Sequence, residues 1–127
     1  MNSKASVKHA LSTAELNDLI INSISDIKGK NILKLDLRQI EDAPTDFFII
    51  CEGDSNTQVK AIAGNIYKRV KEVSGDTPSN HEGQQTALWI CLDYFNVVVH
   101  VFYRETRAFY DLEDLWSDAR FTSYDSL

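Results

Sequence analysis

The 127-residue chain is poor in cysteine, in basic charge and in long apolar runs, and each shortage removes a class of function. Its two cysteines, Cys51 and Cys91, each lie inside an apolar stretch and lack the close pairing of a zinc or redox site. They read as buried free thiols, not as a disulfide. The longest apolar runs, at residues 47–51 and 97–102, are strand-sized and far too short to cross a bilayer. The opening MNSKASVKHALSTAELNDLI has neither a continuous apolar signal core nor the arginine content of a transit peptide, so a cytoplasmic location and no membrane partner are expected. Thirteen basic residues against 19 acidic ones give a net charge of −6. That sign disfavours direct nucleic-acid binding, which depends on lysine and arginine neutralising phosphates. It suits a basic protein partner.

Catalytic patterns are missing as well. No GxxxxGK[ST] or GxGxxG run is present to cradle phosphates, and no GxSxG elbow to present a nucleophile. His9, His81 and His100 are scattered without ligand spacing. Metal-dependent nucleotidyl transfer needs carboxylates clustered on adjacent strands. Here LDL offers Asp36, LDY offers Asp93, and EGDS offers Glu52 and Asp54 without the paired-carboxylate strand that should follow. No catalytic, cofactor or metal residue is therefore assigned, and no cofactor is expected.

What is present is a regular alternation of elements. STAE at residues 12–15 has the form of a capping box, and Leu16, Leu19, Ile20, Ile24 and Ile27 follow at helical spacing, predicting a helix over 13–28 that stops at Gly29. ILKLDLR alternates, with Leu33, Leu35 and Leu37 on one side. DFFIICE is apolar on both faces and reads as a central strand covered on each side. A second helix is expected over 56–73, capped by Ser55 with Gln58 and ending before Gly75. A polar loop with a short edge strand precedes the hairpin WICLDYFNVVVHVF. A short helix capped by Asp111 and carrying Leu112, Leu115 and Trp116 closes the domain. The pattern predicts one α/β (α+β) domain over 13–119, with a mixed β-sheet and helices packed on it. Residues 1–12 read as a flexible N-terminal tail, and 120–127 as a C-terminal tail without strong pattern.

Taking Phe95-Asn96 as the hairpin turn sorts its strands into two faces. Ile90, Leu92, Tyr94, Val97, Val99 and Val101 form an aliphatic core face. Trp89, Cys91, Asp93, Val98, His100 and Phe102 share the other. Aromatics mixed with polar groups are favoured anchors at protein interfaces. Each also has a plainer reading: Trp89 as core, His100 as a satisfied structural histidine, Asp93 as an organiser of the turn.

Several stretches together resemble the ribosomal silencing factor, or Iojap-like, family. They are DFFIICEGDSNTQVKAIA (46–63), EG (82–83), WICLDY (89–94), VVVHVF (97–102) and RAFYDLEDLW (107–116), in the family's order and covering most of 14–119. The resemblance implies a nucleotidyltransferase-like fold lacking the catalytic carboxylates. It implies a protein that is not an enzyme. Such a protein binds ribosomal protein uL14 on the large ribosomal subunit, blocks joining of the small subunit, and represses translation when nutrients are scarce. It also implies a homodimer in the free state. Trp89 and Asp93 match the family's docking strand, with Leu92 and Tyr94 beside them on the core face. Val98, His100, Phe102 and Arg107 complete the candidate partner-binding set. Tyr110 matches a patterned position too, and Arg107 has a structural alternative, pairing with Asp111 or an acidic loop. A residual nucleotide-binding enzyme, using Asp36, Asp54 or Asp93 with magnesium, is the competing expectation. Two departures stand out. Phe95-Asn96 replaces the glycine common after LDY, and Phe tolerates positive φ poorly, so a longer or differently shaped turn is expected. Gln58 stands where the family often has histidine, which argues against metal or catalytic chemistry there.

Overall fold

A computed structural model describes residues 8–124. Six strands and four helices build it. Helix α1 (Thr13–Asp26) starts in a full capping box: Glu15 N–H donates to Ser12 Oγ, and Ser12 N–H to Glu15 Oε1. It ends two residues short of the predicted last residue, 28, and Lys28 itself takes φ +62. Gly29 is needed for space instead, since a Cβ there would lie 2.3 Å from Ile24 Cγ2. Strand β1 (Lys30–Asp36) pairs antiparallel with β2 (Phe47–Gly53), whose seven residues are all buried, as its unbroken apolar run predicts.

Helix α2 (Asn56–Ser74) ends at Gly75 with φ +82, the left-handed cap that glycine takes at least cost. Ser55 Oγ caps it by accepting from Gln58 N–H, but Gln58 does not return the bond. Its carboxamide accepts from Asp54 N–H and donates to the carbonyls of Ile27 and Lys28, tying α2 to the end of α1. The α2 crossover makes β5 (Val97–Tyr103) parallel to β2, while β4 (Trp89–Asp93) pairs antiparallel with β5 and edge strand β3 (Asn80–Glu82) with β4.

The C-terminal region departs from expectation. The closing helix expected after Asp111 is the single turn α4 (Leu112–Leu115), and a further helix, α3 (Arg104–Tyr110), precedes it; Asp111 between them has φ +47 and makes no side-chain cap bond. Residues 120–124, read from sequence as part of a tail, form β6 (Arg120–Tyr124) beside β1. Within the segment read as an N-terminal tail, His9 N–H donates to Val73 O and Lys8 Nζ to the carbonyls of Lys71 and Glu72; residues 1–7 lie outside the described part. The result is a mixed six-stranded sheet in the order β3-β4-β5-β2-β1-β6 within one α+β domain.

The sheet separates two cores. On one face, α1 and α2 cover Ile32, Ile49, Cys51, Ile90, Leu92 and Val99. On the other, Leu112, Trp116 and the loop with Ile40 and Ala43 cover Leu35, Phe48, Ile50 and Phe102. This second cover lies over β1, β2 and β5 and leaves β4 half open: Trp89, Cys91 and Asp93 keep partial exposure.

Candidate docking surface

The hairpin register agrees with the sequence: Trp89 opposes Phe102, Cys91 opposes His100, and Asp93 opposes Val98. These six side chains share the face away from the long helices. Their surroundings differ, however. Phe102 has no accessible surface, and His100 retains 6%. Leu92, on the opposite face, is fully buried under α2. None of the three presents a surface that a partner could dock on, so they hold the fold.

Arg107 is also structural as placed. Its guanidinium is buried, donating to Asn31 O at 2.6 Å, Glu52 Oε1 at 3.1 Å and Glu113 Oε2 at 2.9 Å. The partners are Glu52 and Glu113, not Asp111. Asp93 organises the turn by accepting Phe95 N–H at 2.8 Å. Tyr94 and Val98 are half-buried, Tyr94 against the helix-side core and Val98 against the second. Burial pushes the Tyr94 phenol up, and its hydroxyl has no hydrogen-bond partner.

Trp89 sits where core meets surface. Its indole N–H donates to His100 Nδ1 at 3.0 Å, and its ring lies 4.8 Å from that of Phe102 and 5.0 Å from that of Tyr110. With Nδ1 accepting, the neutral imidazole carries its proton on Nε2, which is buried without an acceptor. Burial pushes the His100 pKa down to about 4.

Beside Trp89 opens a groove of about 530 Å³, walled by Leu88, Trp89, Tyr103, Phe109 and Tyr110, with Glu105 at its edge. Leu88, Phe109 and Tyr110 are exposed, Phe109 by 81%, and so is Leu115 on the next helix. Along the open half of the sheet, Glu82 and Asp93 add acidic groups. A clustered apolar surface with an acidic margin is a protein-docking geometry. Of the groove residues, the sequence singles out Trp89 and Tyr110 but not Leu88 or Phe109. The available signal was the Phe-Tyr pair in RAFYDLEDLW. A short helix cannot bury both neighbours of such a pair, and the break at Asp111 leaves both outside.

Enzyme geometry is not assembled by the acidic residues. Asp36 and Asp54 lie toward opposite ends of β2, roughly 20 Å apart by strand rise, and Asp93 is on the other sheet face from Asp36. Each is already engaged: Asp36 by Arg38, Asp54 by Lys30 and Arg104, Asp93 by the turn. Among the described residues no three His, Cys, Asp or Glu side chains converge as a metal site, and no helix is long and apolar enough to cross a membrane.

Known proteins share both sequence and shape with this chain. Residues 10–127 match the family model described as ribosomal silencing factor during starvation. The protein named ribosomal silencing factor RsfS of Halalkalibacterium halodurans is 40% identical over 109 residues, 86% of this chain and 92% of its own length. The crystal structure of protein CV0518 from Chromobacterium violaceum superposes with a TM-score of 0.79 at 36% identity, covering 84% of this chain and 88% of that one. A mouse protein named mitochondrial assembly of ribosomal large subunit protein 1 is 33% identical over 75 residues, 58% of this chain and 33% of its own length. A match over nearly the whole chain, with a fold to go with it, makes this protein a member of the ribosomal silencing factor family.

Proposed function

We propose that the groove beside Trp89 and the open half of the β4 face dock on ribosomal protein uL14 of the large ribosomal subunit, and that the bound chain keeps the small subunit from joining. The action is excluded volume, without chemistry, and it represses translation under nutrient limitation in the cytoplasm. The observation that carries this reading is the exposure of Leu88, Phe109 and Tyr110 around a half-buried tryptophan, with acidic groups nearby. Aromatics seated in a partner's pocket supply affinity, and acidic groups at the margin speed encounter with a basic ribosomal protein. Two supports come from relatives: the bacterial ones are named for ribosome silencing, and the mouse one for large-subunit assembly. A homodimer in the free state belongs to the same reading, since it would cover apolar surface that is otherwise open to water.

An interface able to exclude a subunit needs about 1,200–2,000 Å² in total, more than the groove alone, so Asp93, on the same face near the hairpin tip, is included in the footprint. The test is sedimentation with purified large subunits. The chain is expected to travel with them, and Phe109→Ser to stay behind. Equal recovery of both proteins would remove the groove from the interface.

A further inference from the structure

The sheet has two edges, and they are built differently. Edge strand β3 is three residues long, carries Glu82 and runs into Gly83 at φ +96. So short and charged an edge offers little to pair with. Strand β6, at the other edge, runs for five residues. Phe121, Thr122 and Tyr124 favour extended backbone, and no proline, glycine or lysine interrupts the strand.

Only one side of the β6 backbone is used. An antiparallel ladder takes alternate N–H and C=O groups, and β1 takes those on its side. Those on the outer side have no partner among the described residues. Nothing folds over them either. Arg120, Phe121, Thr122 and Ser123 are all exposed, and β1 is the one element in substantial contact with the strand. An edge left this open is a template for another strand.

The side chains select which strand. Register places Arg120, Thr122 and Tyr124 on the side of Asp36, Lys34 and Ile32, and Phe121 and Ser123 on the side of Leu35 and Leu33. A second β6, related by a two-fold axis perpendicular to the sheet, runs antiparallel and keeps each side facing the same way. Centred on Thr122, it sets Thr122 opposite the partner's Thr122, Arg120 opposite the partner's Tyr124, and Phe121 opposite the partner's Ser123. The two Phe121 rings then lie on one diagonal, within reach of each other. Hydroxyl meets hydroxyl, guanidinium meets phenol ring, and ring meets ring, each a favourable cross-strand contact. The two Arg120 side chains stand at opposite ends, roughly 13 Å apart along the strands, so no like charges are opposed. The strand is its own complement, which favours a second copy of this chain over an unrelated segment.

We propose that β6 is a homodimer seam: two chains pair antiparallel about Thr122 and continue the six-stranded sheet into a second copy. This seam rests on the free-state homodimer proposed above and supplies its interface. Phe121, 41% exposed in the single chain, is the apolar surface that it covers. Because β6 lies four strands from β4, roughly 19 Å across the sheet, the Trp89 groove stays open in the dimer. Five paired residues bury less than the roughly 1,200 Å² of a standard interface, so the dimer is weak, with a Kd on the order of 10 µM.

Sedimentation equilibrium of the full chain, from about 1 to 200 µM, is expected to show monomer giving way to dimer. Thr122→Lys sets two ammonium groups against each other at the axis and should raise the Kd about tenfold or more, with Tm unchanged. Thr122→Cys should form a disulfide-linked dimer on mild oxidation, whereas Lys68→Cys, exposed on α2, should not. Thr122→Lys and the parent should travel equally with large subunits. A chain that stays monomeric throughout overturns the homodimer reading and the seam together. A dimer that survives Thr122→Lys unchanged, or in which Thr122→Cys cross-links no better than Lys68→Cys, overturns the seam alone. Loss of large-subunit binding by folded Thr122→Lys would overturn the separation of seam from groove. The cross-linking comparison stands even where Thr122→Lys fails to fold.

Discussion

Trp89 and His100 lie diagonally across neighbouring strands and are joined by one hydrogen bond, indole N–H to Nδ1, at 3.0 Å. The bond links the floor of the proposed docking groove to the second core. Trp89 thus has a structural duty besides the docking role proposed for it, and a substitution there tests two things together. Trp89→Ala removes packing against Phe102 and Tyr110 and leaves His100 without its donor. A loss of about 2–4 kcal/mol is expected. Trp89→Phe keeps a ring and should lose about 1 kcal/mol. Urea denaturation measures both, and an unchanged midpoint for Trp89→Ala would place the ring outside the fold's packing.

His100 also makes stability depend on pH. Its folded pKa is depressed to about 4, from an ordinary value near 6.5, because burial disfavours the imidazolium. Above pH 6.5 the group is neutral in both states and costs nothing. As pH falls from 6.5 toward 4, the unfolded chain takes up the proton first, and stability declines by on the order of 3 kcal/mol. Asp36, held down to about 2 by Arg38, contributes a separate loss only below about pH 4. Unfolding free energies between pH 7 and 4 should therefore fall, and His100→Gln should flatten that window. Parallel curves for the two proteins would exclude His100 as the titrating group.

Phe95 is held at φ +76 in a two-residue hairpin turn, with Tyr94 N–H donating to Val97 O, and its ring is 80% exposed. The expected longer turn does not form. Phe95 takes the left-handed conformation itself, held by Asp93 Oδ1 on its N–H and by Thr45 Oγ1, which donates to its carbonyl at 2.7 Å. A bulky residue there is strained by about 1–2 kcal/mol. Phe95→Gly should raise stability by about 1 kcal/mol, seen as a rise of a few degrees in Tm. A fall in Tm would mean that the exposed ring packs more than its accessibility indicates.

Arg107 holds together strands and helices that are distant in sequence. Truncating it leaves Glu52 charged and buried beside β5. Arg107→Met should cost about 3–5 kcal/mol. Adding Glu52→Gln should recover part of the loss, because the uncompensated charge is gone. Additive effects in the double variant would contradict a direct pair.

The parts of the fold written in period-2 and helical spacing were legible. The two hairpin faces, the buried β2 run and both long helices follow from which residues are apolar. Strand β6 was not, because Arg120, Phe121, Thr122 and Ser123 are all exposed and carry no alternation. The candidate docking face was half legible. Register put Trp89, His100 and Phe102 together, but register says nothing about what covers a face. The cover comes from Leu112 and Trp116, placed by the left-handed Asp111. That same break turns Phe109 and Tyr110 outward, so the groove depends on one backbone conformation that spacing does not reveal. Arg107 was ambiguous for a similar reason, since Glu52 is 55 residues away in sequence.

The central claim is that the exposed aromatic groove blocks subunit joining, and a joining assay with purified subunits tests it most directly. Phe109→Ser together with Leu88→Ser alters exposed side chains and should leave stability within about 0.5 kcal/mol. The parent chain, added to large subunits first, is expected to reduce formation of joined ribosomes in proportion to its occupancy, and the double variant to lose most of that effect. A folded double variant that inhibits joining as strongly as the parent would contradict the account.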